Sequence, residues 1–89
     1  MNKERQKFYK TMNNNVLKLI ESIERKYAKE YGLKSHTLIG ERYALYHQFP
    51  EDAEFLDGEC KDDEMFKIRL ETGVSAWMYG ILERYKDLF

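Results

Sequence analysis

Apolar residues recur at three- and four-residue steps in two long stretches of this chain, and that period commits most of it to amphipathic helices. The first stretch runs from Lys3 to Tyr31 through Phe8/Tyr9, Met12, Val16, Ile20, Ile23, Tyr27 and Tyr31. The second starts at Asp62 and runs almost to the end through Phe66, Leu70, Val74, Trp77/Met78, Ile81, Tyr85 and Leu88. The two stretches lie in halves of opposite charge. Residues 1–44 carry ten Lys/Arg against five Asp/Glu, whereas residues 45–89 carry five against eleven. The halves attract each other, either within one chain or between the basic part of one copy and the acidic part of another.

Local signals set the expected boundaries. Gly32 follows the last periodic residue of the first helix and suits a left-handed cap, with Lys26 and Lys29 near the negative end of the helix dipole. Asn13-Asn14-Asn15 is a run of mediocre helix formers, any of which can serve as an N-cap, so residues 1–12 are expected to fray or form a separate turn. A short second helix is expected from Ser35 or Thr37 to Phe49, with Leu38/Ile39, Tyr43, Tyr46 and Phe49 inward and Pro50 ending it. The competing reading is a hairpin turning at Gly40-Glu41. Residues 50–61 read as an acidic connector holding one helical turn from Pro50 to Leu56, closed by Gly58. Asp62 and Asp63 stand where acids stabilise the start of the last helix, and Gly73 is a place for it to bend.

These elements predict a single all-α domain over residues 1–89. Its long N-terminal and C-terminal helices are expected to pack antiparallel, with one or two short helices between them. A chain of 89 residues buries only about 60–65% of its unfolded surface, so a second copy is expected to help stabilise it. No stretch of about 18 consecutive apolar residues occurs, and the N-terminal residues lack the apolar core of a signal peptide. No membrane role is expected. The lone Cys60 can form no internal disulfide and fits a reducing cytoplasm.

Few residues suggest chemistry. Cys60, His36 and His47 are the types that nucleophilic catalysis uses, but the acids around Cys60 disfavour a thiolate. The two histidines have no partner at metal-ligand spacing: His36 reads as solvated and His47 as packed among Tyr43, Tyr46 and Phe49. The acidic run from Glu51 to Glu64 lacks the alternating ligands of an EF-hand. Lysines and arginines of the first helix are interrupted by Glu4, Glu21, Glu24 and Glu30, so nucleic acid is not an expected partner. Neither a catalytic residue, a metal site nor a cofactor is expected.

Two stretches carry a resemblance. Glu21-x-x-Glu24 with Glu59-x-x-Asp62 resembles the paired carboxylates of MazG-like nucleoside-triphosphate pyrophosphohydrolases, which implies Mg²⁺ held against phosphates by hard oxygen ligands. The interval between the pairs is longer than in that family, and a plain solvated face is the competing reading. Residues Leu70 to Trp77 are similar, over eight positions and one shared glycine, to helices of small phage proteins that sequester cyclic-nucleotide signals. Gly73, Ala76 and Gly80 share one side there, forming a groove beside Trp77. A flat nucleotide is expected to stack in it, with Lys26 from the first helix meeting phosphate.

The aromatic content is the remaining signal, with seven Tyr, five Phe and one Trp. A core this small cannot hide them all, so Tyr9, Tyr31, Trp77, Tyr79 and Tyr85 are expected to contribute to covered surfaces. Glu51, Asp52 and Glu54 offer an acidic surface beside them. The first expectation is therefore a small non-enzymatic inhibitor or adaptor of the sort that mobile elements encode, working as a homo-oligomer. Nucleotide capture and a Mg²⁺-dependent phosphohydrolase are the alternatives.

Overall fold

In the computed structural model, residues 1–32 and 38–88 are described. Ser35, His36 and Thr37, expected above as caps and a solvated histidine, lie outside them. The described residues contain helices and no strand, as the apolar period requires.

Helix α1 (Lys3–Tyr31) is unbroken from its first turn. Residues 3–12 belong to the same helix rather than to a separate turn, and Asn2 caps them: its side-chain oxygen accepts the N–H of Arg5 at 2.8 Å. Asn13–Asn15 lie in mid-helix, where the packing of Met12, Val16 and Ile20 against the rest of the molecule outweighs their weak propensity. Gly32 ends the helix at φ 66°, and its N–H bonds the carbonyl of Ala28. This is the left-handed cap that the sequence calls for.

The middle of the chain departs most from expectation. Helix α2 (Ile39–Tyr43) passes through a π-helical turn at Ala44–Gln48 directly into α3 (Phe49–Glu59). Pro50 does not stop it, and the helical turn expected from Pro50 to Leu56 lies within α3, which continues past Gly58 to Glu59. In a regular α-helix the ring of Pro50 would strike the carbonyl of Tyr46, four residues back. The widened turn just before it, in which the Phe49 N–H reaches back five residues to Ala44, relieves that conflict. The wider turn also selects the inward face. Leu45, Phe49 and Ala53 are buried at four-residue steps, whereas Tyr43 and Tyr46, expected inside, are more than half exposed. His47 is likewise exposed and lies against the ring of Tyr43 at 4.6 Å.

Helix α4 (Asp63–Arg84) is capped by Asp62, whose side chain accepts the Met65 N–H at 2.7 Å. It runs through Thr72-Gly73 as one helix, and a 3₁₀ turn (Lys86–Leu88) follows it. The orientation of α4 corrects the antiparallel expectation: α4 runs parallel to α1. Arg5 and Glu4 at the start of α1 meet Asp63 and Lys67 at the start of α4, while Tyr27 near the end of α1 meets Tyr85 at the end of α4. The cause is the length of the middle arm. Residues 39–59 form about 31 Å of nearly continuous helix, enough to return the chain to the end where it began. The molecule is an up-down-up bundle, 47 Å long and under 20 Å across.

One core fills its length. Val16, Ile20 and Ile23 from α1 pack with Leu38 just before the arm, with Leu45, Phe49 and Ala53 from the arm and with Phe66, Leu70, Val74 and Ile81 from α4. Each large side chain here contributes about 1.5–3 kcal/mol by leaving water.

Candidate functional site

Arg5, the one buried charged residue described, locks the end where α1 and α4 start and α3 finishes. Its guanidinium donates from Nε to Asp63 Oδ1 at 2.6 Å, from one terminal nitrogen to the carbonyl and carboxylate of Asp57, and from the other to the carbonyl of Cys60. Two of these acceptors belong to the C-terminal end of α3, where helix carbonyls lack partners. The guanidinium also lies 5.1 Å from the Phe66 ring centroid. Hydrogen bonds from Arg5 and then Asn2 hold the Asp63 carboxyl below its ordinary range. All these groups are satisfied, so the cluster is a brace and leaves nothing open to a ligand.

At mid-height an aromatic column crosses the bundle. Tyr9 stacks on Phe49 at 4.9 Å, and Phe49 meets Trp77 at 5.8 Å. Outside this column a cleft of about 280 Å³ opens between the arm and α4. Ala44, Gln48, Asp52 and Leu56 form one wall at four-residue steps, and Arg69, Gly73 and Trp77 the other, with Phe49, Leu70 and Val74 behind. The π turn supplies Ala44 and Gln48 to this wall. Gly73 leaves its wall bare: a Cβ built there meets nothing within 4 Å.

The residues expected in a nucleotide groove are only partly brought together. Gly73 and Trp77 line the cleft, whereas Ala76, Gly80 and Lys26 are not part of its lining. Arg69 supplies the cation instead, and Asp52, expected in an acidic protein-binding surface, shares the cavity with it. The carboxylates of the pyrophosphohydrolase pattern are separated. Glu24 is gripped by Arg42 through two hydrogen bonds, the longer 2.9 Å, which holds that guanidinium charged well above its usual range. Asp62 caps α4 at the other end of the bundle. Among the described residues no group of three or more His, Cys, Asp or Glu converges as metal ligands would.

The aromatic residues sort into two sets. Tyr9 and Tyr85 are half-buried, with Tyr85 edge-on to Tyr27 at 6.3 Å, and burial raises both phenol pKa values. Tyr31 and Tyr79 are 60% and 65% exposed, and Glu51, Asp52 and Glu54 are exposed as expected. Sequence reasoning missed the rest of the open apolar surface. On α4, Met65, Ile68, Tyr79 and Leu82 point outward, and on the arm Ile39, Tyr43, Tyr46 and Phe55 do. The signal was present in α4, where Met65, Ile68, Thr72, Ser75, Tyr79 and Leu82 form a second three-and-four series opposite the core stripe.

No family model, curated protein or solved structure matches the chain. No helix among the described residues is long and apolar enough to cross a membrane.

Proposed function

We propose that this is a small non-enzymatic binding protein, of inhibitor or adaptor type, that works in the cytoplasm as a homo-oligomer through aromatic and acidic surfaces. One observation carries the reading. Helix α4 is apolar on two opposite sides, Phe66, Leu70, Val74 and Ile81 facing the core while Met65, Ile68, Tyr79 and Leu82 face outward. A helix that is polar on its free side needs no cover, but this one leaves large side chains in water at the three-and-four spacing of a helix–helix seam. Thr72, Ser75 and Ala76 lie between the outer pairs and let a second helix approach closely. The occupant is a second copy, α4 against α4, with the acidic faces around Phe55 left free for another protein.

Light scattering on a sizing column tests this directly. The expected mass is twice the 10.8 kDa of one chain, falling to a single chain in an Ile68→Glu, Tyr79→Glu double variant whose helix signal by circular dichroism is unchanged. A single-chain mass for the unaltered protein at every concentration overturns the reading.

A further inference from the structure

We propose that the cleft between the 39–59 arm and α4 binds a small zwitterion with an apolar tail, namely a free α-amino acid with an aromatic or branched side chain, its ammonium on Asp52 and its carboxylate on Arg69. This concerns a different surface from the α4 seam and does not depend on it.

Charge gives the first argument. Asp52 and Arg69 line the same cavity of about 280 Å³, yet no ion pair joins them, and among the described residues neither pairs with any other charge. Arg5, Arg42 and Arg84 each hold a carboxylate, whereas the polar contact of Arg69 is the Sγ of Cys60 at 3.8 Å, a weak acceptor. An acid and a base that share a small space without meeting are arranged for a molecule carrying both charges.

The space between them gives the second. Its walls are Phe49, Trp77 and the bare backbone of Gly73, which together accept a ring or branched side chain, and the Gln48 amide adds one donor and one acceptor. The volume sits near the lower end for ligand cavities, in keeping with a single amino acid. Net charge gives the third. Asp52 in the wall, with Glu51 and Glu54 exposed on the same helix, repels the phosphates of a nucleotide, while a zwitterion has no net charge to be repelled.

Trp77 is the chain's only tryptophan and lies in the wall, so its fluorescence reports occupancy. The full chain is titrated with L-phenylalanine, L-leucine, glycine, 2-phenylethylamine, 3-phenylpropionate and ATP. A saturable change is expected with phenylalanine and leucine, weaker by about tenfold or more for glycine and for both one-ended analogues. Asp52→Asn weakens phenylalanine to that degree but spares 3-phenylpropionate, and Arg69→Gln weakens phenylalanine but spares 2-phenylethylamine. Gly73→Leu fills the cleft and removes all binding with the thermal midpoint preserved. The proposal is overturned by no saturable response to either amino acid, by one-ended analogues or ATP binding as tightly, or by variants that bind like the unaltered protein. None of these results changes the mass read in the sizing experiment, so the two ideas fail separately.

Discussion

Arg5 on the first turn of α1 donates from Nε to Oδ1 of Asp63, 58 positions later at the start of α4, at 2.6 Å. This contact joins the two helix starts that parallel packing brings to one end of the bundle. The same guanidinium closes the end of α3, so one side chain fixes the relative height of three helices.

Replacing Arg5 by Ala leaves Asp63 with Asn2 alone and the carbonyls of Asp57 and Cys60 without their guanidinium donor, in a partly dry site. We expect the thermal midpoint to fall by roughly 10 °C or more. Arg5→Lys recovers only part of it, because an ammonium on a flexible stem cannot serve the three directions of the fork. Thermal melts followed by circular dichroism give the answer, and a midpoint within 2 °C of the unaltered protein (about the scatter expected of surface changes) contradicts the bracing role.

Acid acts on the same contact. Because the folded-state pKa of Asp63 is lowered by its Arg5 and Asn2 hydrogen bonds, its contribution is fully present above the ordinary carboxyl value of about 3.9. It is lost as pH falls through the lower folded value. Urea midpoints are expected to hold steady from neutrality to about pH 5 and then drop, with a smaller drop in Asp63→Asn.

At high pH the sign reverses. The pKa values of Tyr9 and Tyr85 are raised by burial and that of Lys67 by its hydrogen bond to Glu4. Each therefore contributes fully below its ordinary value, and its contribution declines as pH rises from about 10 through the folded value. The urea midpoint is expected to fall above about pH 10, with phenolate absorbance near the transition appearing later than in the unfolded chain. Tyr9→Phe removes part of that fall.

Asn14 and Asn15 are exposed in the middle of α1, where their propensity costs about 0.5 kcal/mol each relative to Ala. The double change to Ala is expected to raise the thermal midpoint by roughly 5 °C. A decrease in thermal melts means that these side chains make a contact that their exposure hides.

Several features of the fold were legible in the sequence. The buried stripes of α1 and α4, the stop at Gly32 and the acidic start at Asp62 appear where the apolar period and the cap chemistry place them, since each depends on residues within one helical turn. The cleft was half legible. Gly73 and Trp77 share a face of one helix, so their spacing alone pairs them, whereas Asp52 and Arg69 come from different helices and are brought to one cavity only by packing.

What the residues determined by themselves is that this chain is helical, which sides of its two long helices are apolar, and that its halves differ in charge. The tertiary structure alone decided direction and exposure. Propensity at Pro50 argues for a stop, but the π turn before it let the arm continue, and an arm that spans the bundle turns an expected antiparallel pair into a parallel one. With that choice made, Tyr9 and Tyr85 entered seams while Tyr79, Ile68 and Phe55 stayed in water. A helix pattern states which residues share a side, whereas only neighbours arriving from distant positions decide which sides are covered.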